Sequence, residues 1–252
     1  MKKVFASVLT LSVLLAAGCG AKQEEKPAET TEQTADVEKS EGVMSYADFM
    51  AADMGSEVVV EAFVQGKQSW WQDTATVYAQ DKDGGYLFYN MACSEDDYKK
   101  LTEGQLIRVK GTKTQWPEGT GVIEIAEGTF ELADGKWVAP VTDVTSALGT
   151  DELVSFMNQK VGFNGLTVED KGDGNAFYYN WDNSGNEGDD LYFDASLDGK
   201  KYTFTVESYL TDSTTEVYNT VENLKVGDVI DMEGFLYWYE GMNPHITSVK
   251  VK

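Results

Sequence analysis

The stretch Leu101-Thr102-Glu103-Gly104-Gln105-Leu106-Ile107-Arg108-Val109-Lys110-Gly111 occurs twice in this chain. Its second copy is Leu224-Lys225-Val226-Gly227-Asp228-Val229-Ile230-Asp231-Met232-Glu233-Gly234. Each copy reads as a glycine turn followed by a strand, because its apolar residues recur at every second position. Ile107, Val109 and Gly111 fall on one face, and Ile230, Met232 and Gly234 on the matching face. Between them stand Arg108 and Lys110 in the first copy, Asp231 and Glu233 in the second. The apolar phase is kept while the outer charge is inverted, which implies two tandem copies of one core plan with different surfaces.

The flanking sequence repeats the same order of elements. In the first copy, Ser45 and Asp48 have capping-box spacing ahead of a short helix from Tyr46 to Asp53. Strands are expected at 57–64, 74–80 and 86–91, with Asp83-Gly84 as a hairpin signal. A second capping box, Ser94 and Asp97, opens a short helix before the repeated strand, and a last strand covers 122–126. In the second copy a helix is expected over 151–158 and strands at 160–168, at 202–207 after the Asp198-Gly199 turn, in the repeated stretch, and at 245–251. Ser213 and Glu216 there match Ser94 and Asp97 as the cap before the helix. The main difference is a long insertion, 169–190, rich in Gly, Asn and Asp.

Five short strands with a helix between the third and fourth is the order of the OB-fold, a small Greek-key barrel. The expected class is all-β with short helices: two tandem five-stranded OB-fold barrels, over 43–138 and 139–252. On the two glycine-strand-glycine stretches and this element order, the chain resembles the bacterial lipoproteins with tandem OB-fold (tRNA anti-like) domains. The resemblance covers 43–252 and implies an OB barrel on a lipoprotein, usually without catalytic residues. It says little about the ligand, since one fold serves many functions.

The N-terminus agrees with such a setting. Lys2 and Lys3 precede an apolar run from Val4 to Ala17, and Leu15-Ala16-Ala17-Gly18-Cys19 resembles a lipobox with its leucine displaced by one residue. The expectation is a lipoprotein signal peptide over 1–18, a diacylglyceryl group on Cys19, and a disordered tether over 19–42. This places the chain on the outer face of the cell membrane. Only one other cysteine exists, Cys93, so no disulfide is expected in the folded part.

The formal net charge of −23, with Arg108 as the only arginine, disfavours nucleic acid, whose binding needs clustered Lys and Arg. A ligand should be neutral, cationic or bridged by a metal ion. OB barrels bind through the face of strands two and three and through the loops joining strands one to two and four to five. Aromatic residues fall in those loops: Trp70, Trp71 and Trp116 in the first copy, and Tyr178, Tyr179, Trp181, Tyr237, Trp238 and Tyr239 in the second. Such rings stack on sugars, bases or apolar side chains, and they equally plug the ends of small barrels.

The acids of the insertion offer hard oxygen ligands for calcium, but Glu187 stands where an EF-hand needs glycine. A solvated loop is expected there, with no metal or cofactor. His245 is the only histidine, which rules out a His-Cys zinc site of ordinary composition. No phosphate loop, dinucleotide fingerprint or nucleophile elbow is present. The expected function is that of a non-enzymatic, surface-anchored binding protein for a small molecule, glycan or peptide. The competing reading is an interaction module of a cell-envelope assembly. A secreted hydrolase and a single-stranded nucleic-acid binder rank below both.

Overall fold

A computed structural model describes residues 38–252. The expected signal peptide, Cys19 and most of the tether lie outside the described residues. The fold is mostly β and consists of two closed five-stranded barrels with a few short helices.

The first barrel is built from β1 (Glu57–Lys67), β2 (Thr74–Gln80), β3 (Gly85–Ala92), β4 (Gln105–Trp116) and β5 (Val122–Lys136). They follow one another around the barrel as β1-β2-β3-β5-β4, and β4 closes on β1. That is the expected OB order. Ile107 and Val109 of the repeated stretch point inward onto Val58, Val60, Val77 and Phe88. On the outside, Arg108 lies opposite Glu61 across the β1–β4 ladder, with Nε to Oε1 at 2.9 Å.

β4 and β5 run well past the expected strand ends. A bulge at Lys110/Thr112, with Glu127 at positive φ, lets the pairing continue from Gln105 opposite Lys136. The extension escapes a search for alternation because Leu132 is exposed, so no inward apolar period marks it.

Helix α1 (Tyr46–Ala51) closes one end of this barrel with Phe49 in the core. The Ser45 side chain accepts from Asp48 N–H at 3.1 Å, the expected cap. The C-terminal carbonyls of α1 are met from the barrel, where buried Lys113 donates Nζ–H to Met50 O at 2.8 Å and Ala52 O at 2.7 Å. A cation at the C-terminal end of a helix also suits its dipole. Helix α2 (Glu95–Tyr98) lies between β3 and β4 and is capped by Ser94 as expected.

The second barrel uses β7 (Lys160–Glu169), β9 (Leu191–Leu197), β10 (Lys200–Val206), β11 (Val229–Phe235) and β12 (His245–Val251). β7 pairs with both β11 and β9, which closes the ring in the same order as the first. Ile230 and Met232 face its core beside Phe163, Phe193 and Phe204, while Glu233 faces solvent. Two-residue strand β6 (Thr142–Asp143) adds to β7. The insertion is not structureless, because β8 (Phe177–Tyr179) within it pairs with β9.

Two local expectations change. Helix α3 (Glu216–Glu222) stands at the expected place between β10 and β11, but its cap is Thr215 and not Ser213. Asp212 takes the backbone and hydroxyl of Thr214 in a local turn, so helical geometry begins only after it. The helix expected over 151–158 is a 3-10 turn over Leu153–Phe156. Its backbone bonds are three-residue ones, such as Met157 N–H to Val154 O, and Asn158 ends it at positive φ.

The two barrels are joined through a packed interface. Tyr78 of β2 stacks on Phe235 at 4.4 Å and nearly parallel, within a cluster that includes Leu87, Val122 and Met157. Gln80 Oε1 accepts from Lys160 N–H at 3.0 Å, and Asn158 Nδ2–H donates to Ile123 O at 2.8 Å. Glycine is required at two contact points. A Cβ on Gly66 would sit 2.7 Å from the Phe235 ring, and one on Gly85 would clash with the Asn158 backbone.

Candidate functional site

Just beyond this interface the barrels part to leave a cleft of about 720 Å³. One wall is the outer face of β2 and β3, where Thr76, Tyr78, Leu87 and Tyr89 alternate with core residues. The other wall is the second barrel: Tyr192 of β9, Glu207 just after β10, and His245 at the start of β12. Its rim comes from two loops of the second barrel. The insertion supplies Trp181 and Asp190, and the loop between β11 and β12 supplies Tyr237, Tyr239, Met242 and Asn243. A cavity of this size, lined by six tyrosine and tryptophan rings with Leu87, Met242 and a few placed polar groups, suits a small molecule.

The floor is fixed by hydrogen bonds that cross from barrel to barrel. Tyr78 Oη and His245 Nδ1 share one at 3.0 Å, and Tyr237 stacks on the His245 ring at 4.5 Å. Burial pushes His245 down to about 3, so the imidazole is neutral, and it drives the Tyr78 hydroxyl well above its ordinary range. Gln68 Nε2–H donates to Glu207 Oε2 at 3.2 Å, and Tyr209 N–H donates to Glu207 Oε1 at 3.2 Å. Ser69 N–H and Oγ–H both donate to Tyr209 O, which ties the loop after β1 to the second barrel.

The electrostatics are one-sided. Glu207 is pushed up to about 7, first by burial and then by the Asp190 carboxylate beside it. Asp190 is held by Ser208, whose N–H and Oγ–H both donate to Oδ1 at 2.8 and 2.7 Å. Tyr237 is pushed up to about 12 by burial and by Glu124, and Tyr192 is raised by burial and by Asp190. Glu124 itself is raised to about 6 by burial. Among the described residues, no Lys or Arg lines the cleft.

Two smaller grooves continue the cleft. One, about 400 Å³, runs under Trp71 and Tyr209, and the other, about 610 Å³, runs past Trp116 and Glu124. Tyr89 belongs to all three and Tyr237 to two of them. The structure therefore brings Trp181, Tyr237 and Tyr239 into the cleft and places Trp71 and Trp116 along its extensions. The remaining expected site residues lie elsewhere. Trp70 donates Nε1–H to Cys93 O at 2.8 Å and is half-buried. Trp238 and Tyr179 pack on the core of the second barrel, with the Tyr179 hydroxyl bonded to Glu222 at 2.7 Å. Tyr178 folds over Gly172 within the insertion.

The wall residues Tyr89, Tyr192 and Glu207 are outside the expected set, and Asp190 enters it only as one of the insertion's acids. Tyr89 and Tyr192 stand at outward positions of second and third strands, so alternation alone marks them. Nothing local in the sequence marks Glu207. Among the described residues no group of three or more His, Cys, Asp or Glu is placed to hold a metal ion, the insertion included. No described helix is long and apolar enough to cross a membrane.

No family model matches the chain, and no curated protein matches it either. Solved structures match over most of the chain at low similarity. A replication protein A heterotrimer bound to ssDNA is 14% identical over 78% of this chain, with a TM-score of 0.33. This chain spans only 49% of that one. The Ifi202 HINa domain in complex with 20bp dsDNA is 11% identical over 78% of this chain and 98% of its own, with a TM-score of 0.34. The p204 HINb domain is 10% identical over 78% of this chain and 100% of its own, with a TM-score of 0.36.

Proposed function

We propose that this chain is a non-enzymatic binding protein that holds one small ligand in the cleft between its barrels. One observation carries the reading: the second and third strands of the first barrel, the second strand of the second and both ligand loops of the second barrel converge on one cavity rich in aromatic rings. A glycan or a peptide side chain meets the same rings. The carboxylates at its wall oppose a phosphate backbone, so nucleic acid is a weaker reading. The sequence of 1–42 adds that the barrels hang from a lipid on Cys19 at the outer membrane face, on a tether. Incorporation of labelled palmitate that is lost in Cys19→Ala tests the anchor.

The binding itself is tested by tryptophan fluorescence and thermal shift of the full chain against amines, glycans, short peptides and nucleotides. A ligand of the folded state raises the melting temperature by mass action. A cleft ligand should also quench wild type and leave Trp181→Phe unquenched. If a protein partner co-purifies in a salt-sensitive complex while no small ligand shifts the melt, the interaction-module reading replaces this one. A low-salt electrophoretic shift of single-stranded DNA would overturn the ranking of nucleic acid below a small ligand.

A further inference from the structure

We infer that the ligand of the cleft is a small organic cation, an alkylammonium or methylammonium compound, held between tyrosine faces and the carboxylates of Asp190 and Glu207. The inference rests on the binding reading above and narrows it. Tyr89, Tyr192, Tyr237 and Tyr239 surround the space, and a ring face attracts an ammonium group through its quadrupole, most strongly where water is excluded. Glu207 is only 7% exposed and stands beside Asp190, with no Lys or Arg among the described residues lining the cleft. The Asp190 carboxylate beside buried Glu207 disfavours the ionisation of Glu207, and a positive ligand relieves that. A neutral sugar would use the rings but leave the carboxylates uncompensated. An anion would meet both a negative wall and the negative ring faces.

The groups facing Glu207 define its pH behaviour. They are Asp190 from the insertion, Tyr192 on β9, Tyr237 from the loop before β12, Tyr78 on β2, neutral His245 on β12, and Gln68. Among them only Asp190 is a second carboxylate. Below about 7 Glu207 holds its proton. A bound cation favours the carboxylate, so binding near neutral pH releases a proton and strengthens as the pH rises.

Calorimetric titration of the full chain with choline, spermidine and tetramethylammonium tests this, with 3,3-dimethylbutan-1-ol as the uncharged shape analogue of choline. At least one cation should bind about ten-fold or more tighter than the analogue, a difference of about 1.4 kcal/mol. Its heat should depend on buffer in the manner of proton release, and its affinity should fall as the pH drops below 7. Glu207→Gln should weaken it about ten-fold and abolish the proton release. Since Glu207 is buried, Trp181→Ala provides an independent arm at the rim, and it should weaken the cation several-fold with an unchanged melt. Equal binding of the analogue, or a Glu207→Gln variant with wild-type affinity and an unchanged melt, overturns the cation and leaves a binding cleft. No heat with any of the three cations also overturns it. If in addition no compound of the wider screen binds, the cleft reading falls as well.

Discussion

The two barrels carry the same strand order but use their second and third strands differently. In the first barrel Gln80 at the lower end of that face is buried under the second barrel, Tyr78 and Leu87 are buried at the foot of the cleft, and Thr76 and Tyr89 continue its wall. In the second barrel the corresponding face is tied up by its own chain. Asp194 of β9 receives Lys171 from the insertion at 2.7 Å and Thr203 of β10 at 2.8 Å, which leaves Tyr192 at the cleft. Neither barrel offers the open strand face that OB barrels use for an extended ligand. One half-face from each, set edge to edge, makes a site that neither copy has alone. A repeat seen in sequence therefore predicts two barrels but not two sites.

Splitting the barrels should have the largest effect. Phe235→Ala removes the ring stacked on Tyr78 and leaves a cavity at the centre of the interface, for a cost of about 4 kcal/mol. Denaturant unfolding should then separate into two steps, and ligand shifts should vanish with the cleft. A single cooperative transition in that variant would show that the barrels are coupled through other contacts.

The barrel ends sharpen the contrast. The first barrel closes on α1 through Lys113, which is buried and bonded to two helix carbonyls. No lysine stands at the corresponding position of the second, where β11 ends at Phe235 in the interface. Lys113→Ala orphans both carbonyls and should cost about 3 kcal/mol, as read by the melting of the first barrel. A normal melt would place the closure of that end in Phe49 alone.

The barrels and their order were legible in the sequence because Ile107, Val109, Ile230 and Met232 must all face a core, and that fixes register. The strands of 74–80 and the caps at Ser45 and Ser94 followed from local chemistry. The cap at Thr215 did not, since the turn in which Asp212 holds Thr214 delays the start of the helix. The cleft was legible only in part. Trp181 and Tyr237 stand out as aromatic residues in loops, whereas Glu207 becomes significant only when Gln68 and Asp190 arrive from distant segments. Which aromatic residues face the cleft and which plug a barrel is set by docking, and docking leaves no period in a sequence.

Two buried groups at the cleft should give opposite pH signatures. His245 is neutral in the folded protein down to about 3, while the unfolded chain takes a proton below its ordinary value of 6.5. Its contribution is present above 6.5 and is lost as the pH falls, up to about 2 kcal/mol between about pH 7 and about pH 5. Glu207 runs the other way. Its folded value is raised from 4.5 to about 7, so its contribution is full below 4.5 and is lost as the pH rises through 7. Denaturation across pH should show His245→Gln gaining on wild type in acid and Glu207→Gln gaining on it in base. Parallel curves for wild type and both variants would mean that these groups are better solvated than their burial implies.

The smallest effect on stability separates rings that bind from rings that support. Trp181 is 74% exposed and belongs to no core cluster, so Trp181→Ala should change stability by less than about 0.5 kcal/mol. Trp70 is half-buried with its indole N–H bonded to Cys93 O, and Trp70→Ala should cost about 2 kcal/mol. The two expectations reverse for ligand. Loss of the exposed ring should weaken binding several-fold, and loss of the buried one should leave binding unchanged once the chain is folded. Paired denaturation and titration of the two variants reads both quantities. If Trp70→Ala impaired binding as much as Trp181→Ala, the loop after β1 would belong to the site as closely as the rim does, through Ser69 and its bonds to Tyr209.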